Sequence, residues 1–468
     1  MTRKISWLEC SPMANLNEVE TWIRARLPGL LAEHQVPGAA IAVCVGDEAV
    51  DFASGVLSKA TGVEATTDSV FQIGSITKVW TATLVMQLVD EGRLDLDASV
   101  RRYLPDFVLA DDGAAAAITV RQLLAHTAGF EGDIFTDTGV GDDCVEKYVA
   151  TLADVPQLFA PGEMFSYNNA GYCVLGRIVE VLRGASYDDC LRRHLFAPLG
   201  LGHAAASPYE ALLHRAAVGH LTAEPGAEPQ PAPVWSITRS NVAAGAMLAM
   251  SPRDLIAFAR LHMAPGHRAL SAGSVRAMQE RQVDVPYLGT DTSWGLGWQL
   301  FDWPGGRVVG HDGGTIGQRA FLRVVPERGV AVALLTNGGE VIPLFETVLA
   351  HILGELAGVT VPKYPVPSAE PRRVDASRYV GTYASRMAES TVSQDADGRV
   401  WADQRPTPVA VSLGMTPQRF ELLHLRGDTL LAAQAEAGVH APHTFVGDDG
   451  AGHAQYLHTG RADRRLTR

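Results

Sequence analysis

The run Phe71-Gln72-Ile73-Gly74-Ser75-Ile76-Thr77-Lys78-Val79-Trp80 decides how the rest of the chain is read. Ser75 and Lys78 form the sole Ser-x-x-Lys pair in a chain that holds only five lysines. Residues 79–91 are mostly apolar and contain no Gly or Pro, so they predict a buried helix ending at Gly92. A serine at the head of that helix puts its hydroxyl near the positive end of the macrodipole. Lys78, three residues on, falls on the same face one turn away. A serine hydroxyl is a weak nucleophile until a base takes its proton. A lysine serves as that base only where burial or neighbouring positive charge lowers its pKa. A helix-capping serine with an incidental lysine has the same spelling, so the pair needs partners elsewhere.

Composition limits where to look for them. With 468 residues, 47% of them hydrophobic, the chain can bury a large core and is expected to form two domains. A net charge of −13 argues against nucleic acid or an anionic membrane as partner. The five cysteines (Cys10, Cys44, Cys144, Cys173 and Cys190) are scattered and include no Cys-x-x-Cys, so neither a disulfide framework nor a zinc site is suggested. Residues 1–15 lack the apolar core and cleavage site of an export signal, and no later run reaches the ~18 apolar residues of a membrane span. The expectation is a soluble, cytoplasmic protein.

Upstream of the serine, residues 15–33 carry Leu16, Val19, Trp22, Ile23, Leu27 and Leu30 at helical spacing, ended by Pro37-Gly38. Residues 39–45 and 48–53, separated by Gly46-Asp47, predict a β-hairpin. Helix, two strands and then the Ser75 helix open an α/β sandwich on an antiparallel sheet. Downstream, Thr119 reads as an N-cap and Gly129 as the residue closing the same helix, with His126 a structural histidine serving turn carbonyls. Residues 131–143 are acidic and Gly-rich, but the spacing is not that of a calcium loop, so they read as a surface loop or lid.

Two further stretches carry chemistry. Phe165-Ser166-Tyr167-Asn168-Asn169 offers a phenol that can move a proton and an amide that can hold a substrate carbonyl or the lysine. Gly310-His311-Asp312-Gly313-Gly314 precedes two apolar strands at 320–325 and 330–336. Its glycines admit a substrate close to backbone N–H donors, and His311 is the group there suited to work near pH 7.

Ser-x-x-Lys, Tyr-x-Asn and His-x-Gly, in this order and at these separations, resemble the serine β-lactamase and penicillin-binding-protein superfamily. The likeness is nearest its class C-like branch of esterases, D-aminopeptidases and penicillin-binding-protein-type thioesterases. Residues 92–97, 123–129, 195–201 and Trp294-Gly295-Leu296-Gly297-Trp298 are similar to family stretches too, and the resemblance spans roughly residues 15–358. It implies Ser75 as acyl-forming nucleophile, Lys78 as its base, Tyr167 as proton shuttle and Asn169 as the holder of the substrate amide or the lysine. It implies an oxyanion hole from the backbone of Ser75 and Gly314, with Gly313 beside it. His311 replaces the lysine that many members carry, which argues against efficient β-lactam hydrolysis. Residues 203–240 stand where the family inserts pocket roofing, making Trp235 a candidate wall residue.

The expected architecture is an α/β sandwich, with a β-lactamase/transpeptidase-like antiparallel sheet and an all-helical subdomain over residues 1–361. A Pro-rich linker follows at 362–373, then a small antiparallel β-barrel over 374–468 that resembles a lipocalin-like appendage. Arg461, Arg464, Arg465 and Arg468 read as a solvated basic end. The expected function is a serine acyl-enzyme hydrolase or transacylase acting on ester, amide or thioester bonds of small acyl or D-residue-containing peptide substrates. It would need no cofactor or metal. The alternative is a stand-alone thioesterase that releases or macrocyclises a nonribosomal peptide from a carrier-protein-bound thioester. A non-turnover penicilloyl-type sensor and a true β-lactamase stand behind these.

Overall fold

The computed structural model describes residues 16–466 except 224–225, 264–265, 413–414 and 437, so residues 1–15, Cys10 among them, and Arg468 lie outside the described residues. Helix α1 (Leu16–Glu33) leads into the hairpin β1 (Gly38–Val45) and β2 (Glu48–Gly55), close to where the apolar spacing puts them. Helix α2 (Thr77–Asp90) follows Ser75 and α3 (Asn169–Arg183) follows Tyr167. The sheet is then completed by β3 (Val283–Asp284), β4 (Thr292–Trp294), β5 (Gln299–Trp303), β6 (Gly306–Gly314), β7 (Arg319–Val325) and β8 (Val330–Thr336). Its order is β2-β1-β8-β7-β6-β5-β4-β3, antiparallel throughout.

The sheet is the middle of three layers, and the two-residue period of its strands shows why. From β1, Ala40, Ala42 and Cys44 join the core that holds α2 and α3, while Ala39, Ile41 and Val43 face the core of α1 and α4 (Val341–Ala357). Strand β8 splits likewise, Ala331, Ala333 and Leu335 to one side and Val330, Val332 and Leu334 to the other. Both strands are therefore near-continuous apolar runs. Helix α2 is buried on every side from Thr77 to Leu88, as befits the central helix of a large core.

Residues 362–373 carry no helix or strand. Beyond them eight antiparallel strands close into a barrel: β9 (Gly381–Ala384), β10 (Ala388–Gln394), β11 (Val400–Pro406), β12 (Gln418–Arg426), β13 (Thr429–Ala432), β14 (Pro442–Val446), β15 (Tyr456–His458) and β16 (Ala462–Arg465). Two of these escaped the sequence. Strand β10 buries only Ala388, Ser390 and Val392, too polar a face to register, and β16 is the supposed solvated end, which instead pairs with β9 and β15.

The barrel is docked through backbone as well as side chains. Tyr167 N donates to Gly460 O (3.0 Å), Ala462 N to Ser166 Oγ (3.1 Å) and Arg386 N to Glu131 Oε2 (3.1 Å). His458 Nε2 lies 2.9 Å from Phe165 O. The segment the barrel grips is the one that carries Tyr167.

Candidate active site

Ser75 sits in a 3-10 turn, Gly74–Ile76, that winds directly into α2. Gly74 adopts φ +51°, and a Cβ on it would lie 2.5 Å from Gly314 N. Gly313 is as constrained, since its Cβ would fall 1.8 Å from Ile73 O. Glycine is needed at both places so that the serine turn can rest against the end of β6. This contact brings the Ser75 and Gly314 backbones together, as an oxyanion hole requires.

Lys78 is fully buried at the foot of the serine. Its Nζ lies 3.1 Å from Ser75 Oγ and 2.6 Å from Ala244 O. It also stands over the Tyr167 and Tyr172 rings at 4.9 and 5.7 Å. Burial lowers its pKa to about 7, and the positive charge of Arg461 pushes the same way. Desolvation disfavours the ammonium form, so a neutral amine, able to accept the serine proton, is populated at physiological pH.

Helix α3 is capped by Asn168, whose Oδ1 accepts from Gly171 N (2.7 Å). Tyr167 precedes this cap and Asn169 opens the helix. Burial drives the Tyr167 phenol well above its ordinary pKa, partly offset by a hydrogen bond with Ser75, so it works as a neutral donor and acceptor. His126 supports this segment from beneath. Its Nδ1 accepts from Asn168 N (2.9 Å), its carbonyl accepts from Ser166 N (2.9 Å), and its ring stacks on Tyr167 with centroids 4.3 Å apart. The sequence expectation had it serving carbonyls; it accepts from an N–H instead. Gly129 does not close the Thr119-capped helix, which ends at Leu124; it makes a separate turn against Phe159.

Strand β6 outruns its neighbour: β5 starts at Gln299, opposite Gly310, so residues 311–314 have β7 on one side and the serine turn on the other. His311 faces this cleft. Its Nδ1 lies 2.7 Å from Asp312 O and so carries the proton, leaving Nε2 as a buried acceptor with no partner among the described residues. Burial lowers its pKa to about 4, with Lys78 adding to the effect. The expectation of a group titrating near pH 7 is corrected: the ring is neutral there. Asp312 is held by the buried Arg323 guanidinium at 2.5 and 3.2 Å.

The cleft has a volume of about 530 Å³, and Ser75, Tyr167, Asn169, His311, Gly313 and Gly314 all line it. Trp235 does not. Its indole Nε1 is tied to Ala217 O (2.8 Å) and packs behind, while Ile237 takes the wall position. Phe135, Leu288 and Trp294 form more of the apolar wall. Asn169 does not bond Lys78; its Nδ2 donates to Asp133 Oδ1 (2.7 Å). Asp133 is buried, so the start of the acidic stretch is part of the site and not a surface lid. From the barrel, Arg461 reaches into the cleft, with Nε 2.8 Å from Asp133 Oδ2. Sequence reasoning missed Asp133 and Arg461 because a contact across 328 positions leaves no local spacing signal.

The family profile of beta-lactamases matches residues 23–355. Penicillin-binding protein 4 of Amycolatopsis lactamdurans is 48% identical over 365 residues, covering 76% of this chain and 96% of that protein. A crystal structure of SurE is 31% identical with a TM-score of 0.77, over 96% of this chain and 99% of that one, so the likeness runs through the barrel. A structure of SurE with D-Leu is 30% identical with a TM-score of 0.75 over the same shares. D-amino acid amidase from Ochrobactrum anthropi SV3, solved with L-phenylalanine amide, is 26% identical with a TM-score of 0.58, over 69% of this chain and 92% of that chain.

Proposed function

The chain belongs to the beta-lactamase family, and on that footing we propose that it forms an acyl-enzyme on Ser75 from small esters, amides or thioesters, including D-residue-containing peptides. The observation that carries this reading is Lys78, desolvated and 3.1 Å from Ser75 Oγ. Neutral Lys78 takes the Ser75 proton as Oγ attacks the acyl carbonyl. The resulting oxyanion meets the Ser75 and Gly314 N–H groups, where one aimed donor contributes about 3 kcal/mol. Tyr167 relays the proton held by Lys78 to the leaving group as the tetrahedral species collapses, which returns Lys78 to the neutral amine, and water or an amine then attacks the acyl-enzyme ester in the reverse sense.

The inclusion of D-residue-containing substrates rests on relatives: one was solved with D-Leu and another is a D-amino acid amidase. A neutral His311 gives the cleft no fixed cation on β6, so β-lactams are expected to turn over slowly. Transfer of a peptidyl thioester to an amine is the second reading. Arg461 favours it, because the barrel carries a guanidinium into the cleft where a carboxylate-bearing acceptor would meet it.

Steady-state assays with a p-nitrophenyl ester, a D-alanyl p-nitroanilide, a peptidyl N-acetylcysteamine thioester and nitrocefin test this. Sustained turnover of at least one of the first three, with nitrocefin about 100-fold slower, is expected. A single stoichiometric burst with all four, or nitrocefin as the best substrate, would overturn it.

A further inference from the structure

Asp133 has both carboxylate oxygens engaged, and neither partner lies on its own element. Oδ1 accepts from Asn169 Nδ2 at 2.7 Å, at the start of α3. Oδ2 accepts from Arg461 Nε at 2.8 Å, with Nη2 3.4 Å from Oδ1. Arg461 belongs to the turn between β15 and β16, whose Gly460 O also holds Tyr167 N. Asp133 is buried, at 9% exposure, and a buried charge persists only when paired and hydrogen-bonded.

The Asn169 carboxamide can rotate by half a turn and swap its donor for its acceptor without changing shape. A carboxylate accepts and cannot donate, so only the rotamer with Nδ2 towards Asp133 satisfies both residues. That rotamer turns Oδ1 away from Asp133 and leaves one N–H free. Asn169 lines the cleft, so its wall presents a substrate with one fixed polarity.

We propose that Asp133 is a positioning residue: anchored from the barrel by Arg461, it locks the Asn169 carboxamide in the orientation that the acyl substrate meets. Barrel, acidic loop and catalytic helix thus act as one relay, Arg461 to Asp133 to Asn169. The kinetic part of this inference rests on the acyl-enzyme reading above; the orientation of Asn169 does not.

Two measurements on the full-length protein keep the failures apart. In the first, selectively 15N-asparagine-labelled protein is followed by NMR, the Asn169 carboxamide being assigned from its loss in Asn169→Ala. The wild type is expected to show slow proton exchange at that group, accelerated at least 10-fold in Asp133→Asn and in Arg461→Met. Unchanged exchange in both variants would overturn the lock even if the protein proved to have no activity. The second is a double-mutant cycle on the best substrate of the panel. Asp133→Asn is expected to lower kcat/KM by about 10- to 100-fold, the range for losing a hydrogen bond to a charged group, and to add less than about 2-fold in an Asn169→Ala background. A full additional loss in that background would show that Asp133 acts by another route. Should Asp133→Asn fail to fold, the exchange measurement on Arg461→Met decides the lock. Failure of Ser75 to acylate in the wild type would sink the acyl-enzyme reading alone, leaving the exchange result to decide the lock.

Discussion

Lys78 Nζ and Ser75 Oγ lie 3.1 Å apart in a site where the lysine has no exposure at all. The pair is three residues apart on one winding of chain, yet its chemistry is set by everything packed over it. Burial lowers the lysine pKa to about 7. In the proposed mechanism the neutral amine is the base, so acylation should be lost as the pH falls through about 7. A pre-steady-state pH profile of acyl-enzyme formation on an ester should show one ascending limb there. No second limb is expected from His311, whose burial lowers its pKa to about 4.

Neighbouring charges should move that limb in opposite senses. Arg461 disfavours the charged lysine and Asp133 favours it. Arg461→Met should therefore shift the limb to higher pH and Asp133→Asn to lower pH. The same profile, measured on both variants, checks the signs, and a shift in one common direction would contradict the electrostatic account.

The close approach of the serine turn and β6 leaves no room for a side chain. An alanine methyl at Gly313 would stand 1.8 Å from Ile73 O, a backbone atom that cannot swing aside. Gly313→Ala should lower kcat/KM by about 100-fold or more and destabilise by about 1–3 kcal/mol, the usual range for overpacking. Thermal denaturation and steady-state kinetics on the same preparation measure the two effects.

The barrel interface should carry its own pH signature. Asp463, in β16, is pushed up to about 7, first by burial and then by the charge of Glu131, with Asp133 adding. Ser385 and Arg461 pull it down. The unfolded carboxyl titrates near 3.9. With the folded pKa raised, its contribution to stability is complete below about 4 and is lost as the pH rises through about 7. Glu180, raised by burial to about 7, acts in the same sense, and the buried histidines act oppositely at lower pH. The readout is therefore a difference: Asp463→Asn should gain stability relative to wild type between pH 5 and 8, by about 2 °C or more in Tm. A difference that stays flat across this range would contradict it.

The layers were legible because their signals are local. Strands buried on both faces spell continuous apolar runs, and 330–336 is bounded as its sequence suggests, at Val330–Thr336. The proposed catalytic serine and lysine, with the tyrosine and asparagine, carry short spacings that a fold preserves. What sequence could not reveal depends on meetings between distant segments. Asp133 looked like one acid in an acidic loop, and Arg461 like one charge in a basic end. Each is defined by the other across the docked barrel. Trp235 failed for the converse reason: a large aromatic in a roofing segment signals burial, and which surface it covers is decided by the Ala217 carbonyl it bonds.

Ser75→Ala should reduce turnover by about 1,000-fold or more with the fold intact, as removal of a nucleophile does. The most direct test of the account is intact-protein mass spectrometry after rapid mixing with an ester, a D-alanyl amide and a peptidyl thioester, alongside this variant. A transient mass increase equal to the acyl group, mapping to Ser75 and absent from Ser75→Ala, is the predicted result. Turnover without any adduct, or an adduct that persists in Ser75→Ala, would contradict it.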